Sequence, residues 1–209
     1  MSVREIRTTI RIQRCLLRLL RQDAAARAEL LEHARRRLTL LADRMFAKFP
    51  MLHRREEAED VFQEAMVRLW QSLEEVGPTT VAGFMGLATL QMRRALRDLA
   101  RRHFGRHKGA AEDPGRHRAV TGIQGHTFDD EPGDSTWHPD ALACWSEFHA
   151  AAERLPEPER TAFDLLYYHE LSQTDVANLM QVSERQVRRY WQTARRELHR
   201  KLEGILPKI

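Results

Sequence analysis

The chain has 209 residues, and 34 Lys plus Arg against 30 Asp plus Glu leave a formal net charge of only +4. That length suits one ordinary domain or two small ones and excludes a large multidomain enzyme. Hydrophobic residues at 42% with few Gly and Pro exclude a disordered or collagenous chain, and two distant cysteines, Cys15 and Cys144, exclude a disulfide framework or a four-cysteine zinc site.

Residues 1–24 form an N-terminal extension, basic and Leu-rich from Ile10 to Leu20. It reads equally as a regulatory helix or as an added packing helix. It lacks the apolar core of a signal peptide, and no apolar run is long enough to span a bilayer, so a cytoplasmic protein is expected. From about residue 23 to 49, Leu30, Leu31, Ala34, Leu38, Leu41, Ala42 and Met45 recur at three- and four-residue steps and predict a helix. Pro50 and the basic turn His53, Arg54, Arg55 end it.

A second helix is predicted from about Glu56 to Val76, with Val61, Ala65, Leu69 and Leu73 on one stripe and Gly77-Pro78 as its stop. Its start is acidic: Glu56, Glu57, Glu59, Asp60 and Glu64, with Gln63 beside them. Such a face repels DNA and suits a basic protein surface; the plainer reading is stabilisation of a helix N-terminus. A third helix runs from about Thr80 to His103, apolar at Phe84, Leu87, Leu90, Ala95, Leu96 and Leu99. Between Phe84 and Lys108, Arg93, Arg94, Arg97, Arg101, Arg102, Arg106 and Lys108 oppose Asp98 alone, a net charge of +6. Arg93, Arg97 and Arg101 share one face by their four-residue spacing, which suits phosphate binding that weakens with salt.

The pattern then breaks. From Gly105 to Pro139 periodicity is lost, and between Glu112 and Asp140 seven acids face Arg116 and Arg118, a net charge of −5. This is a flexible acidic linker. Helical pattern resumes with Leu142, Trp145 and Phe148. After the Leu155-Pro156-Glu157-Pro158 corner, a helix from about Pro158 to His169 carries Phe163, Leu165, Leu166 and Tyr167. The expected fold is therefore all-α: two small helical domains, residues 25–105 and 140–209, joined by the linker at 106–139.

The sharpest signal lies in Ser172–Met180 and Ser183–Leu202. Ser172 is placed to cap the first segment, with Asp175 favouring its N-terminal end. Ala177 is small where two helices must approach, and Ser183 caps a second helix that buries Val187, Tyr190 and Ala194. Two helices joined by three residues make a helix-turn-helix. The turn position often held by Gly is Gln181, which requires a left-handed backbone at a cost of about 1 kcal/mol. From Ser183 to Lys201, seven Arg and Lys oppose Glu184 and Glu197, a net charge of +5. Ser183, Arg185, Gln186, Arg188, Arg189, Gln192, Arg195 and Arg196 are the candidate DNA contacts. Arg and Gln near the start are expected to read base edges in the major groove, and the later arginines to grip phosphates.

Ala58-Glu59-Asp60-Val61-Phe62-Gln63-Glu64-Ala65-Met66-Val67-Arg68-Leu69-Trp70 resembles the polymerase-binding helix of extracytoplasmic-function (ECF) sigma factors. The Arg-rich helix after it resembles their −10-reading helix, and Leu155 through Leu202 resembles their −35-reading domain. The similarity spans roughly residues 25 to 105 and 140 to 203. The stretches Leu87-Ala88, Arg93 to Arg101 and Ser146 to His149 are most similar to ECF factors abundant in planctomycetes. The resemblance implies an accessory subunit with no catalytic residues, no metal and no cofactor. Its partners are core RNA polymerase, promoter DNA and an anti-sigma factor or other regulator. Asp60, Gln63 and Glu64 dock on the coiled coil of the polymerase largest subunit in this reading. Arg93, Arg94, Arg97, Arg101 and Arg102 engage the −10 element, which requires flipped bases and a gripped backbone. Arg94 stands where the family commonly has Asn, four residues before Asp98. Trp70 and Trp145 are expected to pack rather than stack on bases, and the linker's acidic charge to stand in for nucleic acid within the polymerase.

Three other readings compete. A stand-alone helix-turn-helix regulator explains the C-terminal half but leaves Asp60, Gln63, Glu64 and the second basic helix without a role. A helical metal-dependent hydrolase needs carboxylates with His at ligand spacing, and the cluster Glu56, Glu57, Glu59, Asp60 has only His53 on the preceding turn. A helical protein-interaction adaptor is the plainest option, and the salt dependence of DNA affinity separates it from the rest.

Overall fold

Short polar signals set the ends of the helices. In the computed structural model, which describes residues 3–47, 55–108 and 139–202, eight helices form: α1 (Val3–Leu19), α2 (Ala25–Ala47), α3 (Arg55–Val76), α4 (Val81–Lys108), α5 (Pro139–Glu153), α6 (Glu157–Tyr167), α7 (Gln173–Met180) and α8 (Glu184–Lys201). Between α1 and α2 the chain reverses at Gln22, whose φ is 61°. The Asp23 carboxylate then accepts the Ala25 N–H at 3.0 Å, satisfying a donor that α2 leaves free. Gly77, with φ 55°, separates α3 from α4, and the Thr80 hydroxyl accepts the Gly83 N–H at 3.1 Å.

No strand occurs among the described residues, so the all-α expectation holds. The predicted helices lie within a few residues of their expected bounds, except that α4 continues to Lys108 past the expected start of the linker. The His53-Arg54 turn and residues 109–138, which carry most of the acidic linker, lie outside the described residues.

The apolar stripes read from the sequence are the buried ones: Leu30, Ala34, Leu38, Leu41 and Met45 on α2, and Val61, Ala65, Leu69 and Leu73 on α3. α1 buries Ile12, Cys15 and Leu16 and packs on α2 and α4, so the N-terminal extension does at least the work of a packing helix. The centre of the molecule is α4, which packs against α1, α2, α3, α5, α6 and α7. Both expected helical domains are present, but they do not sit apart. The buried residues of α1–α4 and of α5–α8 form one continuous hydrophobic cluster, with α4 at the seam.

The turn between α7 and α8 adopts the backbone that the sequence demanded. Gln181 has φ 56° and ψ 42°, a left-handed conformation that returns its N–H to the Ala177 carbonyl. A Cβ is disfavoured there, and Gln181 is exposed, so its side chain contributes no packing to offset the cost. Gln181→Gly is expected to stabilise the fold by about 0.5–1 kcal/mol, read as a higher denaturant midpoint at unchanged slope.

Candidate nucleic-acid interface

The helix-turn-helix is fixed by two serine caps. Ser172 Oγ accepts the Asp175 N–H at 3.1 Å and donates to the Asp175 carboxylate at 2.8 Å. Ser183 Oγ accepts the Gln186 N–H at 3.2 Å, and Thr174 donates to Glu184 at 2.8 Å, tying α7 to the start of α8. α8 seats itself by burying Val187, Ala194 and Leu198. Tyr190, expected among the buried residues, is half-buried instead. Trp191 stacks on Phe163 of α6 with centroids 5.6 Å apart.

The rest of α8 faces outward. At 100° per residue, Arg185, Arg188, Arg189, Gln192, Arg195 and Arg196 fall within one third of the helix circumference. All six are exposed, as is Ser183, whereas Gln186 is half-buried. Among the described residues no carboxylate pairs with any of these five arginines. Arg195 lies over the Trp191 ring at 5.9 Å, and Arg196 reaches only the Gln192 carbonyl and Thr193. This is a ridge of available cations on a rigid, doubly capped helix.

The arginines of α4 have a different setting. Arg93, expected on a phosphate-binding surface, is fully buried and paired with Asp164 of α6. Its guanidinium also lies over the Tyr168 ring at 5.3 Å, and burial pushes its pKa below the ordinary value. Arg94 and Arg97 both pair with Glu153 at the end of α5, at 2.9 and 2.6 Å. Arg101 pairs with Asp98 at 3.3 Å and Arg102 with Glu64 at 2.6 Å. Arg93 and Arg97 lie on one side of the helix, as their spacing predicts, but α5 and α6 lie over that side, so Arg93 is a core residue in this arrangement and not the surface contact expected. Glu153 and Asp164 were not singled out from the sequence, because 56 to 71 positions separate them from the arginines they hold.

Asp60 and Gln63 stand exposed on one face of α3. Glu64 shares that face but is half-buried, bound to Arg68 at 2.5 Å and to Arg102. Arg68 continues the chain of charges to Asp98 at 2.7 Å, so Glu64 ties α3 to α4 as well as facing outward. The side chains of Glu56 and Glu57 lie outside the described residues. Trp145 packs on Phe148 edge-on at 5.6 Å, as expected, and Trp70 is half-exposed with the Arg27 guanidinium over its ring at 4.9 Å.

Two buried histidines complete the seam. His169 Nε2 meets the Thr89 hydroxyl of α4 at 3.0 Å, while Arg44 of α2 donates to the His169 carbonyl at 2.6 Å and pairs with Glu170 at 3.0 Å. Burial, reinforced by the charges of Arg44, Arg37 and Arg93, pulls the His169 pKa down to about 3 against the Met85 carbonyl, which acts to raise it. His149 of α5 bonds the Tyr168 hydroxyl at 2.9 Å, and burial with Arg93 and Arg97 nearby holds its pKa well below 6.5.

Residues 30–106 match the family described as Sigma-70 region 2, and residues 145–198 match Sigma-70, region 4. No curated protein matches the chain. Among solved structures, the sigma factor RpoE in complex with the anti-sigma factor NepR from Bartonella quintana is similar at 16% identity and a TM-score of 0.33, over 85% of this chain and 99% of that one. That similarity is too low to fix how the regions of this chain are arranged. The two regional matches together span well over half of the chain, in the order region 2 then region 4. The chain belongs to the sigma-70 family: it is a sigma factor, which binds core RNA polymerase and directs promoter recognition in transcription initiation. Region 2 falls on α2–α4 and region 4 on α5–α8, so the seam closed over α4 is a contact between region 2 and region 4.

Both histidines are neutral when folded and titrate near 6.5 when unfolded. The unfolded chain therefore binds more protons as pH falls through 6.5, and stability is lost from there downwards. Between about pH 7.5 and pH 5 His169 is expected to remove about 2 kcal/mol from the unfolding free energy, and His149 acts in the same direction. His169→Gln is expected to remove the His169 part of that pH dependence, read by denaturant titration at each pH.

Proposed function

We propose that α8 reads the −35 element and α4 the −10 element, and that in the free protein region 4 covers the −10 face of α4. The observation that carries this is the contrast between the two basic helices: among the described residues no carboxylate pairs with Arg185, Arg188, Arg189, Arg195 or Arg196 of α8, all exposed, whereas each of the five candidate arginines of α4 is matched by one. On α8, Arg185, Gln186, Arg188, Arg189 and Gln192 face base edges, with Ser183, Arg195 and Arg196 at the phosphates. Asp60 and Gln63 dock on the polymerase. Glu64 joins them there while also positioning Arg102. Docking separates region 4 from α4 and exposes Arg93, Arg94 and Arg97 to the −10 strand. The protein acts without catalysis, in the cytoplasm, and no helix among the described residues is long and apolar enough to cross a membrane. The wording of α4 and α5 supports a place in the planctomycete-type subgroup, and an anti-sigma factor is a fitting regulator.

Co-purification with bacterial core RNA polymerase tests the docking face. Wild type is expected to bind, and Asp60→Ala with Gln63→Ala to lose most of that binding while keeping its helix content. Failure of the wild type to bind overturns the docking assignment and favours a stand-alone helix-turn-helix regulator. Glu153→Ala tests the covered face, because it frees Arg94 and Arg97 without touching DNA itself. Its affinity for single-stranded −10 DNA in the absence of core is expected to rise roughly tenfold, with a steeper salt slope from the two freed cations. An unchanged affinity and slope overturn the covering role of region 4.

A further inference from the structure

α1 lies outside the segment that matches region 2, and promoter or polymerase contact accounts for none of the side chains it turns toward α2. One of them is Cys15, 3% exposed on the buried side of α1. On the facing helix α2, Glu29 and His33 are four residues apart and therefore stand one above the other. The Cys15 sulfur, a Glu29 carboxylate oxygen and a His33 ring nitrogen all lie within 4.8 Å of one another. A thiolate, an imidazole and a carboxylate converging from two helices are the donor set of a four-coordinate zinc site that keeps one position for water.

We propose that Cys15, Glu29 and His33 form a zinc-binding site that staples α1 to α2. Bond lengths of about 2.0–2.3 Å to zinc place neighbouring ligand atoms about 3.5 Å apart, so atoms that already lie within 4.8 Å of one another need little further movement to bind. Glu29 is the long and exposed partner, and it supplies that movement and the solvent path for the ion and its water. Zinc takes the place of the thiol proton, which leaves to solvent, and no change of oxidation state is involved.

The neighbours of the cluster fit this role. Arg18 donates to both Glu29 carboxylate oxygens, at 2.5 and 3.2 Å, and each oxygen keeps a second lone pair for a metal. Such an outer hydrogen bond orients a ligating carboxylate. Arg18 is itself balanced by Asp23, which accepts from its Nε at 2.8 Å. The cysteine thiolate and the Glu29 carboxylate then neutralise the two charges of zinc, and no unpaired charge is left between the helices.

Cobalt(II) titration of the untagged, chelator-stripped full chain tests the proposal, because a thiolate on cobalt gives a near-ultraviolet charge-transfer band that other ligands do not. Wild type is expected to develop this band with the visible bands of a tetrahedral ion, saturating at a single equivalent and erased by zinc. Cys15→Ser should lose the charge-transfer band, and Glu29→Gln and His33→Gln should each weaken cobalt affinity roughly tenfold or more. Cys144→Ser should keep the band. Zinc should raise the melting temperature of wild type by about 5 °C and leave that of His33→Gln, of equal helix content, unchanged. A wild type without the band, or a band that survives Cys15→Ser, overturns the site and leaves Glu29 as an ion-pair partner of Arg18 alone.

Discussion

A guanidinium is among the costliest groups to remove from water, and this fold buries one at its centre. Arg93 lies at the seam between region 2 and region 4 with no exposure. Desolvation of such a charge costs several kcal/mol, and here Asp164 and the face of Tyr168 are its compensation. Its Nε and Nη1 find no hydrogen-bond partner among the described residues. The apolar cluster around α4 therefore stabilises the seam, while the charge inside it would be better solvated if the seam opened. Glu153 adds a rim to the same contact by holding Arg94 and Arg97.

From this constraint follows the unequal state of two helices that look alike on paper. Both α4 and α8 are strongly basic, and both place arginines on one side. α8 presents that side to solvent, because its opposite face alone fills the core of region 4. α4 has neighbours on nearly every side, so its arginines meet carboxylates from α3, α5 and α6. The electrostatic force available for nucleic acid is thus present at once on α8 and neutralised on α4.

The seam also explains why two histidines are kept neutral. His149 and His169 sit beside arginines in a low-dielectric setting, where a further positive charge is repelled as well as poorly solvated. Their neutrality is a condition of closure. It links the stability of the contact between regions to pH without either ring being near the expected DNA face of α8.

The sequence alone determined the helices, their apolar stripes, both serine caps and the left-handed turn at Gln181, because each is settled by residues within a few positions of one another. It also determined the kinship with sigma factors and the basic character of α4 and α8. Whether an arginine on those helices meets water or a carboxylate was beyond it. Glu153, Asp164 and His169 reach α4 from the far side of the linker, and no local pattern records such a pairing. The same holds for Cys15, Glu29 and His33: two lie at helical spacing and are legible as neighbours, but the thiol joins them only because α1 folds back on α2. Tertiary packing decided exposure, since a helix shows the same charge in sequence whichever of its faces the rest of the chain covers.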